Sequence, residues 1–315
     1  MPDPNGVENA FRVLQNDLCH EIESREKNDV LIEDSWDRTE GGGGTSRAIQ
    51  GGEWIEKGGI NFSRIRGSAL PAPASARRPE YAGRPFEAMG VSVVLHPRNP
   101  YAPTAHMNVR AFFILPSQES ESIQWWFGGG FDLTPCYGFD EDAIDWHKTA
   151  HDVCENARPG LYRRFKRECD SYFYLPHRHE CRGIGGIFYD DFSELGFDTT
   201  FRFSLAVGHA FREAFFRILD RRAHTPFEER QREFQRLRHG RYVEFNLLHD
   251  RGTKFGLASG GRTESILMSM PADASWSYNW KPESGSPEAQ LTERYLQPRD
   301  WLAPNFPLET NENPS

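Results

Sequence analysis

Residues 91–95 (VSVVL) are almost entirely apolar or β-branched, and the run MNVRAFFIL from Met107 to Leu115 begins in strict alternation. Both patterns predict β-strands. With a period of two, His106, Asn108 and Arg110 share one face while Met107, Val109 and Ala111 share the other. On the preceding strand, Ser92, Val94 and His96 fall together. Between the strands, Pro97, Pro100 and Pro103 each lack an amide donor and push the preceding residue toward extended backbone, which predicts a fixed loop. If the strands pair, Ser92, His96, His106, Asn108 and Arg110 point the same way. A solvated sheet face is the alternative, although such faces favour Thr and Lys over His and Asn.

Periodicity organises the rest of the chain. Phe11, Leu14, Leu18 and Ile22 recur at helical spacing. Residues 51–63 read as two short strands around a glycine turn, and Ile123 to Phe127 as a strand ended by Gly128, Gly129 and Gly130. Those glycines permit close approach of a ligand. Asp132 follows them, either capping a turn or offering a carboxylate to a cation or a nitrogen heterocycle. Helices are predicted from Glu141 to Glu155, from Pro159 to about Tyr174, and along the Phe203, Val207, Phe211, Ala214, Phe215, Ile218 face. The charged run from Arg221 to Arg241 reads as a solvated helix surface. Tyr242 to Leu248 alternates like a strand, and Ser265 to Met270 reads as another, preceded by Gly260, Gly261 and Arg262. The Gly41 to Gly44 run is either a flap near a ligand or a flexible linker. Strands separated by turns, with helices in blocks, predict an α+β fold: a large antiparallel sheet flanked by helices, not a βαβ array. A single domain is expected over residues 1–302, with the Pro/Ala/Arg-rich stretch 70–85 as a surface loop and 303–315 as a polar tail.

Composition narrows the partners. The 46 acidic residues outnumber the 37 basic ones, for a net charge of -9, so neither nucleic acid nor an anionic membrane is an expected partner. No apolar run approaches the roughly 20 residues needed to span a bilayer. The first 28 residues carry no export-type apolar segment, so a cytoplasmic protein is expected. The five cysteines show no CxxC spacing, and are expected to be reduced. GIGGIFYDDF, residues 183–192, lacks the GxGxxG order of a dinucleotide site.

The candidate site combines His96, His106, His147 and His177 with Arg110, Arg262, Asn108 and Asp132. Gathered arginines in an acidic chain imply recognition of carboxylates or phosphates. The histidines are metal ligands or proton carriers. His147 and His151 are spaced like metal ligands but lack the glutamate of HExxH, and one satisfied core histidine is the better reading of the pair.

Five segments carry a resemblance: EKGGINFS (residues 56–63), His96 to Arg110, WWFGGGFDLTP (residues 125–135), Arg182 to Asp191 and Gly240 to Met270. Together they resemble the oxygen-dependent coproporphyrinogen-III oxidase family, bacterial type, over nearly the whole chain to Trp301. The resemblance implies oxidative decarboxylation of two propionates of coproporphyrinogen III to vinyls, giving protoporphyrinogen IX with dioxygen as acceptor and no organic cofactor. It implies one large antiparallel sheet between helical layers, and a homodimer using the Tyr242 to Ser277 region. It assigns substrate contacts to Ser92, Asn108, Val109, Arg110, Gly260, Gly261 and Arg262, and proton donation to His106. It gives Asp132 to the pyrrole nitrogens, and His96, His106, His147 and His177 to a possible divalent metal. The sequence departs from the family at Cys136, Asp145, Leu248 and His249, none of them a carried-over residue. Two other readings remain at this point, a histidine-based metal oxygenase or hydrolase and a non-catalytic tetrapyrrole carrier.

Overall fold

The computed structural model describes residues 2–39, 41–70, 78–118, 121–258 and 261–303. Helix α1 (Pro4–Glu23) is capped by the Asp3 side chain and leads into a meander of strands β1 (Leu31–Asp37), β2 (Gly42–Gln50), β3 (Ile55–Gly67), β4 (Phe86–Pro97), β5 (Thr104–Ile114) and β6 (Gln124–Thr134). Helices α2 (Asp140–Ala157) and α3 (Leu161–Tyr172) follow, then the short strands β7 (Tyr174–Leu175) and β8 (Glu180–Cys181). Strand β9 (Gly185–Phe192) precedes the long helices α4 (Phe197–Arg222) and α5 (Glu229–Leu248). The short helices α6 (Arg251–Ala258), α7 (Thr263–Leu267) and α8 (Pro287–Gln290) follow, with a 3-10 turn at Pro79–Tyr81 and a π-helical turn at Leu291–Tyr295 besides. The main sheet runs β1-β2-β3-β4-β5-β6-β9, with antiparallel pairing throughout. This is the expected α+β class.

The two sheet faces have opposite chemistry because alternation is strict along β4 and β5. Val91, Val93, Leu95, Met107, Val109 and Ala111 are buried in the main core beneath α1, α2 and α4. Their neighbours Ser92, Val94, His106, Asn108 and Arg110 line a cavity on the other face. Register sets Ser92 opposite Asn108 and Val94 opposite His106, so the pairing expected from sequence forms. Helices α5, α6 and α7 roof that face. Gln235 donates to the Pro97 carbonyl at 3.0 Å, and Ser265 and Ser46 are bonded at 2.9 Å, tying α5 to β4 and α7 to β2.

Two predicted strands are helices. Tyr242 to Leu248 is the last part of α5, and Ser265 to Met270 begins inside α7. Helix α5 starts at a reciprocal capping box of Glu228 and Gln231, and its inward positions include Gln235, Arg238, His239 and Asn246. A helix that buries polar side chains shows little apolar period, which leaves its last seven residues looking like an alternating strand. Gly41 to Gly44 is neither flap nor linker, because Gly42, Gly43 and Gly44 pair with Ile65, Arg64 and Ser63 at the start of β2. The expected tail beyond Ala303, Gly260 and residues 71–77 of the expected loop lie outside the described residues.

Candidate functional site

The cavity between the polar sheet face and the α5–α7 roof has a volume of about 570 Å³. Its deep end is built on β5 and β6. His106 stands opposite Asp132 in register, and its Nδ1 lies 2.8 Å from Asp132 Oδ1. A carboxylate only accepts, so Nδ1 donates the proton of this bond, which leaves Nε2 outside it on a residue that lines the cavity. Arg182, 2% exposed, donates through Nη2 to both Asp132 oxygens at 2.8 Å and through Nη1 to Asn246 Oδ1 at 3.0 Å. Its guanidinium packs over the rings of Phe173, Tyr242 and Phe245 at 4.2 to 4.7 Å. Burial alone favours protonated Asp132, but the Arg182 charge and then His106 outweigh it and hold the carboxyl below its ordinary range. Asp132 is therefore an anion 1% exposed, behind His106 and Arg182. The carboxylates on the cavity wall are instead Asp190 and Asp191 of β9 and, just beyond α5, Asp250. Burial opposes the ionisation of Asp250 too, but bonds from the Thr253 amide and the Tyr172 hydroxyl keep it low.

Arg110 lies across the middle of the wall. It donates to Asn108 Oδ1 at 2.9 Å and to Asp190 Oδ1 on β9 at 2.8 Å. To reach β9 it must cross β6, and it does so over Gly128, its register partner, where a Cβ would sit 2.6 Å from Nη2. Gly130 serves a different purpose: at φ +143° its Cβ would fall 2.0 Å from the Ile187 carbonyl oxygen, so it is needed for the close pairing of β6 with β9.

Other expected site residues are placed elsewhere. The Val109 side chain is fully buried in the opposite core, leaving only its backbone near the cavity face. Arg262 pairs with Asp34 of β1 and does not line the cavity, nor does Gly261, whose amide bonds to the Gly256 carbonyl. The four histidines do not converge into the expected metal set. His96 is bonded to Thr104 Oγ1 and the Ser269 carbonyl, and His147 to Tyr162 Oη and the Ile184 carbonyl. His177 faces Glu244, which leaves only His106 on the cavity wall. Burial, reinforced by Lys166, lowers His147 to about 3, so it is a neutral core histidine. Among the described residues no group of three His, Cys, Asp or Glu side chains is arranged to hold a metal ion. All five cysteines are free and buried.

Sequence reading missed Arg182, Asp190, Asp250 and Tyr242. All four lie in two of the five segments that carry the resemblance, Arg182 to Asp191 and Gly240 to Met270, a signal that was available; their partners come from distant elements. The arrangement can grip a carboxylate with Arg110 and move a proton through His106 beside an anionic wall. The family model for coproporphyrinogen III oxidase matches residues 6–301. That match spans every element that builds the cavity, and the chain belongs to the coproporphyrinogen III oxidase family, with a role in coproporphyrinogen III decarboxylation.

Proposed function

We propose that the protein converts coproporphyrinogen III to protoporphyrinogen IX by oxidative decarboxylation of two propionates, with dioxygen as the electron acceptor and no organic cofactor. The observation that carries this reading is the pairing of Arg110 with the His106, Asp132 and Arg182 chain on one cavity wall. Arg110 and Asn108 take the reacting carboxylate, with Ser92 and the Val109 backbone beside them. His106 Nε2 handles the proton, held in one tautomer by Asp132, whose charge Arg182 keeps in place. Each propionate gives up carbon dioxide, one proton and two electrons on becoming a vinyl group, and dioxygen takes the electrons. The electron-rich pyrrole activates the adjacent carbon, so the chemistry asks of the protein orientation, proton transfer and exclusion of water. Asp250 is the carboxylate that receives the pyrrole NH groups. Because the histidines do not assemble as ligands, no step is routed through a metal.

A homodimer fits the surface. Leu247 and Leu248 at the end of α5 are 47% and 52% exposed, and Trp276, bonded to Glu244 of the same helix, is 54% exposed. No described helix is long and apolar enough to cross a membrane. Product analysis after incubation with coproporphyrinogen III in air and under nitrogen tests the central claim. Protoporphyrinogen IX is expected only in air; equal conversion in both atmospheres, or none in either, rules the reading out.

A further inference from the structure

Besides Arg110, Arg182 and Arg251, the cavity is lined by an arginine held mainly by rings. Trp126 of β6 stacks on Phe112 of β5 with centroids 4.7 Å and planes 5° apart, and Phe112 stacks on Phe86 of β4 at 5.3 Å and 8°. The Arg78 guanidinium closes this column, 4.1 Å from the Trp126 centroid. Arg78, Trp126 and Phe112 all line the cavity. Trp126 precedes Gly128 by two residues on the same face, which puts the column about 7 Å along the strand from the ground on which Arg110 lies. The ion pair of Arg78 with Asp191 spans 3.6 Å, longer than a hydrogen bond, whereas Arg110 and Arg182 are bonded to their aspartates at 2.8 Å. Stacking occupies the flat face of a guanidinium and leaves its N–H edge to donate, in an orientation that costs little further ordering.

We infer that Arg78 is a second carboxylate receptor of this site, taking a non-reacting propionate while Arg110 holds the reacting one, and that Trp126 is its positioning residue. The inference rests on the tetracarboxylate substrate proposed above. A single arginine fixes one edge of a large ring, and a second contact is needed to stop rotation about that anchor. Titration of the full-length protein with coproporphyrin III, the stable oxidised tetracarboxylate, followed by fluorescence at low and high salt, provides the test. Arg78→Gln is expected to weaken binding about tenfold, the loss of one charge-assisted contact, and to flatten the salt dependence. Arg78→Lys restores the salt dependence but not the full affinity, since it keeps the charge and loses the stacked fork. An Arg78→Gln protein with unchanged affinity and salt dependence overturns the inference, as does Arg78→Lys binding as tightly as the parent. Should Arg78→Gln fail to fold, the lysine variant decides alone. Failure of the parent to convert coproporphyrinogen III counts against the functional reading instead, so the two failures are distinguishable.

Discussion

His106 is useful because its two nitrogens do different things: one is committed to Asp132 at 2.8 Å and the other lies outside that bond, on a residue that lines the cavity. The residue is therefore expected to act on turnover rather than on binding. His106→Asn should lower kcat by about 100-fold or more while leaving substrate affinity within a few-fold. Steady-state measurement of carbon dioxide release decides this, and full turnover in the variant would remove His106 from the proton path. On the proposed reading Asp132 acts through His106: with both oxygens engaged by Arg182 and the residue 1% exposed, it orients the imidazole.

At the scale of elements, the Gly128 to Gly130 run separates into two jobs that substitution can tell apart. In Gly128→Ala the new methyl meets the Arg110 guanidinium, the far end of a flexible side chain, which can swing away. Activity should fall by about tenfold or more with little loss of stability, because Arg110 is pushed off its bridge to Asp190. Gly130→Ala meets backbone instead, at a φ that L side chains rarely adopt, and should cost about 1–3 kcal/mol of stability. Thermal melting beside activity assays distinguishes the two, and equal melting temperatures for both variants would contradict this division. Helix α5 illustrates the opposite dependence, since Arg238, His239 and Asn246 are buried in it only because they face a polar layer.

For the whole molecule, buried neutral histidines link stability to pH. His147 is lowered from 6.5 to about 3, so below pH 6.5 the unfolded chain takes up a proton that the folded protein refuses. Its contribution is intact above pH 6.5 and is lost as pH falls toward 3, by about 2 kcal/mol at pH 5. His96, shifted in the same direction by burial and His239, adds to this slope. Denaturant titrations at pH 7 and pH 5 should show the loss, and His147→Gln should make it smaller. A variant slope as steep as the parent's would assign it elsewhere. If the exposed leucines of α5 pair two copies, light scattering will give a mass of twice 36.2 kDa, and Leu248→Glu will shift it toward the monomer.

Alternation along residues 91–95 and 107–115 determined which side chains face the cavity and which enter the core, because a strand's period of two leaves no freedom once one face is apolar. The long apolar stripe of α4 and the antiparallel sheet were legible for the same reason. Tertiary structure decided the rest. The setting of a histidine depends on partners brought from distant elements: burial beside Lys166 keeps His147 neutral with its nitrogens on Tyr162 and Ile184, whereas His106 is bonded to Asp132, itself held by Arg182. Residues 242–248 continue a helix whose inward polar groups are buried against polar partners such as the Pro97 carbonyl and Arg182, an environment that local pattern does not encode. Arg262, expected in the site, is held by Asp34 across the sheet edge, while Arg78, which no motif singled out, stands on Trp126 inside the cavity.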